Sequence, residues 1–270
     1  MNAPLPAPPE DGLDQSRAPL MDHLLELRKR LIRAFLALGV AFGICFYFAD
    51  DIFAFLAQPL VNAFGGEGQG RMIYTRLYEA FFVEIRVAFF AAFFVAFPFI
   101  ANQVWAFIAP GLYRNEKKAF LPFLFATPLL FTLGGALAYY VVMPTAFRFF
   151  LNFQGNIGGI EQEALPAVGD YLTLVMHFIL AFGIAFLLPV LLMLLERAGL
   201  VTRDQLKRGR RYAILGAFVI AAVATPPDIL SQFMLAVPLI FLYELSLIAI
   251  WFTERRRNRE SAAEAAPPAA

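Results

Sequence analysis

Six long apolar segments occupy most of this chain, and they restrict it to one kind of fold. About 20 mostly apolar residues are needed to cross a hydrocarbon layer of roughly 30 Å, and a helix satisfies the backbone hydrogen bonds within that layer. We therefore predict an all-α, polytopic membrane protein with six transmembrane helices. The predicted spans are residues 31–49, 77–100, 119–142, 171–195, 212–225 and 229–251.

The composition agrees with this class, and one segment is unusually short. The chain is 60% hydrophobic and 16% charged, whereas soluble domains carry about 25% charged residues. Segment 212–225 would reach only about 21 Å at about 1.5 Å per residue. A helix this short favours local thinning of the bilayer or recruitment of partner helices.

The positions of lysine and arginine predict the orientation. Cytosolic connections of membrane proteins carry an excess of both residues. Basic residues cluster in alternate connections, at 17–33, 114–118, 197–211 and 255–259, whereas the opposite side holds only Arg71, Arg76, Arg86 and Arg148. Both termini are therefore predicted to be cytosolic.

The flanking segments differ in composition from the spans. We predict a disordered tail at 1–19, a six-span domain at 20–253 and a second disordered tail at 254–270. The first 20 residues are proline-rich and have no apolar core, so the first span itself is expected to direct insertion. Prolines in or beside the spans are expected to bend them into a kinked array. They are residues 98, 122, 128, 189 and 238.

Several classes of chemistry lack the residues they need. The glycine-rich run 65–70 ends in Arg71 without the lysine of a nucleotide-binding loop. His23 and His177 are far apart and show no zinc-protease spacing, and Cys45 is the single cysteine. We predict no catalytic residue, no metal and no cofactor, so the protein is not expected to be an enzyme. The near-neutral net charge of +1 gives no sign of a nucleic-acid partner.

The stretch before the first span reads as an amphipathic helix. Leucines 20, 24, 27 and 31 recur at helical spacing, and Asp22 is a plausible cap. Glu26 lies in this stretch among basic residues. Its simplest interpretation is an i,i+4 pair with Arg30, worth about 0.3–0.5 kcal/mol at a surface.

A second stretch, residues 98–118, follows the second span. Pro98 is expected to end or kink that span, and Pro110 with Gly111 to force a turn before the third. Glu116 would then lie in the first turn of the third span, where the helix dipole favours a carboxylate. Each of the two acids alone has an adequate structural explanation.

Together the two stretches resemble the signature segments of the TatC family, the multispanning C subunits of twin-arginine protein translocases. The resemblance rests on residues 23–31, on 103–112 and on Glu116. Further matches are Pro59, residues 79–82, and Pro226 and Pro227 within 225–228, followed by Ser231 and Gln232. It extends from about residue 20 to 251 and leaves out only the tails.

The resemblance implies a receptor and scaffold for protein export. Acids matching Glu26 and Glu116 would bind the arginine pair of signal peptides on folded precursors, with Arg28 and Phe107 beside them. Single-span A and B subunits would be partners in a multimeric complex in the bacterial inner membrane, driven by the proton-motive force. An alternative is a secondary transporter of a small cationic solute, although such a transporter would carry its acids near the bilayer midplane.

Three polar positions near or within the spans leave alternatives open. His177 is expected to be a hydrogen-bonded interior residue or a functional group, and it is a candidate to replace a polar contact that the family often has where this chain has Leu187. Glu244 is expected to snorkel or pair with a loop arginine, or to act in transport. Asp228 is expected to cap a turn or to have a functional role.

Overall fold

The residues that the structure describes are mostly helical, as predicted. A computed structural model describes residues 12–66, 70–112, 121–225 and 228–264. The helices are α1 (Gly12–Tyr47), α2 (Ala49–Ala63), α3 (Glu79–Leu112), α4 (Leu121–Leu137), α5 (Met143–Leu151), α6 (Val168–Ala185), α7 (Leu188–Arg197), α8 (Arg203–Arg208), α9 (Arg210–Ala224) and α10 (Ile229–Glu264). A π-helical stretch, Ala138–Val142, joins α4 to α5, and strands β1 (Gly155–Ile157) and β2 (Ile160–Gln162) form an antiparallel hairpin.

Five helical segments within the described residues are long and apolar enough to cross a membrane. They are His23–Tyr47, Glu79–Phe107, Phe123–Leu151, Val168–Arg197 and Ile229–Arg255. The predicted fifth span corresponds to α9, whose 15 residues reach about 22 Å at about 1.5 Å per residue. It packs against α10 and supplies the sixth helix of the polytopic fold.

Proline interrupts the helices less often than the sequence suggested. Helix α3 runs through Pro98 and on to Leu112, so the turn predicted at Pro110 and Gly111 is wrong, and Pro98 does not end the span. A proline removes one backbone hydrogen bond, whereas ending a helix leaves four carbonyl groups unpaired. By contrast, the fourth span does break, between α6 and α7, with Pro189 in the first turn of α7.

The end helices are longer than the predicted six-span domain. Helix α1 begins at Gly12, and α10 continues to Glu264, so helix covers parts of both segments expected to be disordered. Adding a residue to an existing helix costs far less than starting a new one. Arginine, glutamate and alanine, which are frequent in 254–264, also have high helix propensity.

A carboxylate fastens the outer ends of two spans together. Glu79 begins α3, and its Oε2 accepts hydrogen bonds from the N–H and Oγ1 of Thr75 at 2.7 and 2.8 Å and from the Arg76 N–H at 3.2 Å. Its Oε1 accepts one from the N–H of Gly169 in α6, at 2.8 Å. The adjacent loop adds a parallel bridge between Ile73 and Ala167. The outer ends of α3 and α6 therefore lie at the same level.

The main core lies where α2, α3, α5, α6, α9 and α10 meet, around buried side chains such as Phe178 and Phe182. Helix α1 packs mainly against α3. The first span is the least buried of the five, with 11% of its most apolar window inside the protein. Much of α1 is therefore left for lipid or for partner proteins.

Candidate functional site

Glu26 lies in α1, near the cytosolic end of the first span, and is already paired. Its Oε1 accepts a hydrogen bond from Nε of Arg30 at 3.0 Å and forms a salt bridge with the same guanidinium. The side chain of Glu26 is 36% exposed and that of Arg30 21%. The i,i+4 pair expected from the sequence is thus present, and it is partly exposed.

Phe107 contacts the same helix one turn before Glu26. The ring of Phe107, near the cytosolic end of α3, stacks on the imidazole of His23 with centroids 4.3 Å apart and an interplanar angle of 18°. Glu26 follows His23 by three residues, so both lie along one side of α1. The structure thus brings Phe107 and the helix segment that carries Glu26 together at one end of the protein.

The other two predicted site residues are placed differently. Arg28 is exposed on α1, and its position two residues from Glu26 directs it to another side of the helix. Glu116 lies outside the described residues, as do Pro226 and Pro227. The structure therefore joins the surroundings of Glu26 and Phe107 and leaves the second acid as a prediction.

Trp105 fixes the end of α3 from the other side. Its indole N–H donates a hydrogen bond of 2.9 Å to Oγ1 of Thr127 in α4, and that hydroxyl donates to the carbonyl of Phe123 at 2.7 Å. Phe107 is thus presented by a helix end held against both α1 and α4. A fixed aromatic surface of this kind suits contact with an apolar segment of a ligand.

Glu244 binds an arginine of the last cytosolic connection. Its Oε2 accepts a hydrogen bond of 2.8 Å from Arg210, the first residue of α9. The preceding residue, Tyr243, donates a hydrogen bond of 2.6 Å to the carbonyl of Leu206 in α8. These neighbouring side chains fasten the connection to α10, which is the structural role weighed for Glu244.

Asp228 accepts a hydrogen bond at the outer start of α10. The N–H of Ser231 donates to its Oδ1 at 2.7 Å, the geometry of a helix N-cap. Ser231 is completely buried in the described part of the chain. The turn-capping interpretation of Asp228 therefore accounts for this contact.

His177 and Leu187 line different cavities. His177 is exposed to a groove of about 920 Å³ between α1, α3 and α6, which Arg86 also lines. Leu187 lines a second groove, of about 820 Å³ around α7, which shares only Ile184 with the first among their lining residues. The first alternative for His177, a hydrogen-bonded interior residue, is wrong, because the side chain is exposed and forms no hydrogen bond within the described residues. Its substitution for a polar contact near Leu187 stays a prediction.

Comparison with known proteins identifies the family. The family model described as Sec-independent protein translocase protein (TatC) matches residues 22–238. This chain belongs to the TatC family. The match covers the first five predicted spans and the first ten residues of the sixth.

Curated relatives and solved structures agree with the family. A TatC of Magnetococcus marinus is 50% identical over 95% of this chain and 92% of the relative, and that of Rickettsia prowazekii is 46% identical over 88% and 94%. The TatC of Escherichia coli strain K12 is 38% identical over 90% and 92%. Two crystal structures of the twin arginine translocase receptor TatC superpose with TM-scores of 0.72 and 0.74. They are 38% and 39% identical, over 85% and 84% of this chain and 98% of each of theirs.

Membership in the TatC family decides between the functions predicted from the sequence. It supports a protein translocase and not a transporter of small cationic solutes, and it agrees with a multi-pass membrane protein. The expected resemblance to this family is confirmed.

Sequence reasoning missed two contacts, one at the candidate site and one at the outer ends of the spans. The stacking of His23 on Phe107 joins residues 84 positions apart, and no local sequence pattern indicates such a contact. The joint at Glu79 was also missed, although an acidic residue opening an apolar span was a visible signal.

Proposed function

We propose that this chain is the receptor and core scaffold of a twin-arginine protein translocase, and that its cytosolic face binds signal peptides with paired arginines. Family membership supports the translocase role. The observation that supports the location is the packing of the Glu26 segment of α1 against Phe107. In this proposal Glu26 and Glu116 each bind one guanidinium group.

Carboxylates suit this ligand for a simple electrostatic reason. Arginine is always charged and presents a planar fork of donors, so one carboxylate oxygen pair binds it in a bidentate manner. Lysine offers only a point charge and is expected to bind less well. Loss of either partner of such a pair costs about 2–5 kcal/mol when the pair is desolvated.

The Glu26–Arg30 pair defines the first step of binding. Arg30 is an internal guanidinium in the place that a peptide guanidinium would take, so the peptide must displace it. An exposed i,i+4 pair contributes only about 0.3–0.5 kcal/mol. The displacement is therefore inexpensive compared with a bidentate contact to the ligand.

Phe107 supplies the apolar part of the same site. Its ring is held by His23 on one side, and the partly exposed remainder is available to apolar residues that follow the arginine pair. Arg28, exposed on a different side of α1, would act beside the site rather than between the two acids.

The remaining features follow from this role. The protein acts without catalysis of its own, in the bacterial inner membrane, together with single-span A and B subunits in a multimeric complex. The proton-motive force supplies the energy for transport, and the short helix α9 favours bilayer thinning where the cargo crosses.

Export in living cells tests the proposed function. The chain is expressed in a bacterium that lacks its own TatC, and export of a folded fluorescent reporter behind a paired-arginine signal is measured. Export is expected with the arginine pair and not with two lysines. Asp204→Ala removes an exposed cytosolic acid of α8. It is the control for loss of an acid on this face and should export normally. Equal export of both signals would contradict the proposal.

A further inference from the structure

The groove between α1, α3 and α6 contains two ionisable side chains among apolar ones. Its lining is mostly aromatic and aliphatic, with Phe35 and Phe42 from α1 and Phe89 and Phe93 from α3. Arg86 of α3 and His177 of α6 also line it, and both are exposed. Within the part of the chain that the structure describes, neither makes a hydrogen bond or an ion pair.

The two side chains lie at the same depth in the membrane. Glu79 and Gly169 are hydrogen-bonded at the outer ends of α3 and α6. Arg86 follows Glu79 by about 10 Å along its helix, and His177 follows Gly169 by about 12 Å, at about 1.5 Å per residue. The groove is therefore lined by a guanidinium and an imidazole at a similar level.

This depth lies below the lipid headgroups. Spans of 29 and 30 residues are about 44 Å long, against a hydrocarbon layer of roughly 30 Å. The outer boundary of that layer then falls about 7 Å below the ends of the helices. Arg86 then lies about 3 Å below that boundary, where an arginine exposed to hydrocarbon is costly unless it is paired or extends to the headgroups, and His177, with its shorter side chain, lies about 5 Å below it.

The wall of the groove formed by α1 contains two glycines that suit close packing of a second helix. Gly39, which lines the groove, and Gly43 form a G-x-x-x-G pattern, the spacing at which membrane helices approach closely. A Cβ atom added at either glycine would meet no atom within 4 Å. The subunit itself does not require these glycines for its packing, so the space beside them is open to another protein.

We propose that this groove binds a transmembrane helix of a partner protein, and that Arg86 pairs with a carboxylate in the outer half of that helix. Gly39 and Gly43 let the partner backbone approach α1, and His177 adds a hydrogen bond to the same carboxylate or to its neighbour. The partner is a membrane helix that carries one acid within its outer apolar turns. This deepens the proposed function, since it assigns a surface to the single-span partners.

Crosslinking from adjacent residues of α1 tests the location. A photoreactive amino acid is placed at Phe35, which lines the groove, or at Leu36, which does not; the two are 63% and 64% exposed. In membranes that contain the complete translocase, the Phe35 probe is expected to capture a single-span subunit at least tenfold more than the Leu36 probe. Equal capture, or capture of phospholipid alone at Phe35, would overturn the proposal.

Glycine and charge substitutions test the two contacts. Gly39→Leu is expected to reduce the Phe35 adduct at least tenfold without lowering the amount of folded subunit. The control is Gly216→Leu in α9, where an added Cβ also meets no atom.

Arg86→Glu should abolish the adduct, and an acid-to-arginine change in the partner helix should restore it. Arg148→Glu on the outer side should have no effect. If no acid-to-arginine change in the partner helix restores the adduct of the Arg86→Glu variant, the pairing of Arg86 with a partner carboxylate is rejected.

The cytosolic site provides the internal reference. Crosslinking of an arginine-pair peptide at Phe107 is measured in the same membranes. If the peptide binds and the Phe35 probe captures no subunit, the groove proposal fails alone. If the unmodified protein does not bind the peptide, the proposed receptor function fails independently.

Discussion

The hydroxyl group of Tyr139 donates a hydrogen bond of 2.6 Å to the carbonyl oxygen of Phe55. Pro59, four residues later in α2, has no N–H with which to bind that carbonyl, so the tyrosine replaces the missing bond. Tyr171 donates a hydrogen bond to the next carbonyl, that of Leu56, at 2.8 Å. A proline inside a short helix is thus compensated by a side chain of a neighbouring span.

A double-mutant cycle measures this compensation. Tyr139→Phe is expected to lower the free energy of unfolding by about 1 kcal/mol, because the Phe55 carbonyl loses its donor. In a Pro59→Ala background the residue 59 N–H takes over, so the same change should cost less than half as much. Thermal unfolding in detergent checks this, and equal costs in both backgrounds would contradict it.

The joint at Glu79 is expected to control local opening on the outer face. Glu79→Ala removes the acceptor for the amides of Thr75, Arg76 and Gly169. Hydrogen bonds to a charged acceptor are stronger than those to a neutral one, so amide exchange at these three positions should accelerate by roughly tenfold. Glu84→Ala, an exposed acid five residues later, is the control. Unchanged exchange in the Glu79 variant would show that the carboxylate does not hold the joint.

Arg30 is expected to compete with the ligand for Glu26. Arg30→Gln removes the internal guanidinium, and a pair worth about 0.3–0.5 kcal/mol corresponds to an affinity about twofold higher for an arginine-pair peptide. Arg33→Gln, an exposed residue on the same helix, serves as the control for the loss of positive charge. Peptide titration in detergent gives both affinities, and weaker binding to the Arg30 variant would assign Arg30 to the ligand instead.

The length of α9 is expected to affect transport and not peptide binding. Insertion of four apolar residues after Val219 adds about 6 Å and removes most of the mismatch with the bilayer. Export of a folded reporter should fall, while peptide crosslinking at Phe107 should remain. Val219→Leu, which keeps the length, is the control. Normal export from the lengthened protein would exclude a role for the mismatch.

Much of the fold follows from the apolar segments, because hydrophobic runs of membrane length leave few alternatives to spanning helices. The wrong predictions are those in which a single residue type was expected to determine the backbone conformation. Pro110 and Gly111 signalled a turn, yet α3 continues through both residues to Leu112. Contacts such as Tyr139 with Phe55 cannot be read from local patterns, since they depend on how distant helices pack.

The candidate site was accessible to the sequence only in part. Glu26 and Phe107 were found through the family resemblance, whereas composition and spacing favoured the pairing of Glu26 with Arg30. Both interpretations concern the Glu26 carboxylate, and the structure shows it paired with Arg30. Arg86 appeared in the sequence only as a minor contribution to the charge of the outer side, because its depth depends on the joint between Glu79 and Gly169.

The most direct test of the account is crosslinking of a signal peptide from a benzoylphenylalanine at Phe107. The unmodified site should capture the arginine-pair peptide and lose most of that capture when the peptide carries two lysines. Glu26→Gln and Glu116→Gln should each reduce capture at least tenfold, while Asp204→Asn leaves it unchanged. Capture that is equal for both peptides and in both glutamine variants would contradict the assignment of these acids to the arginine pair.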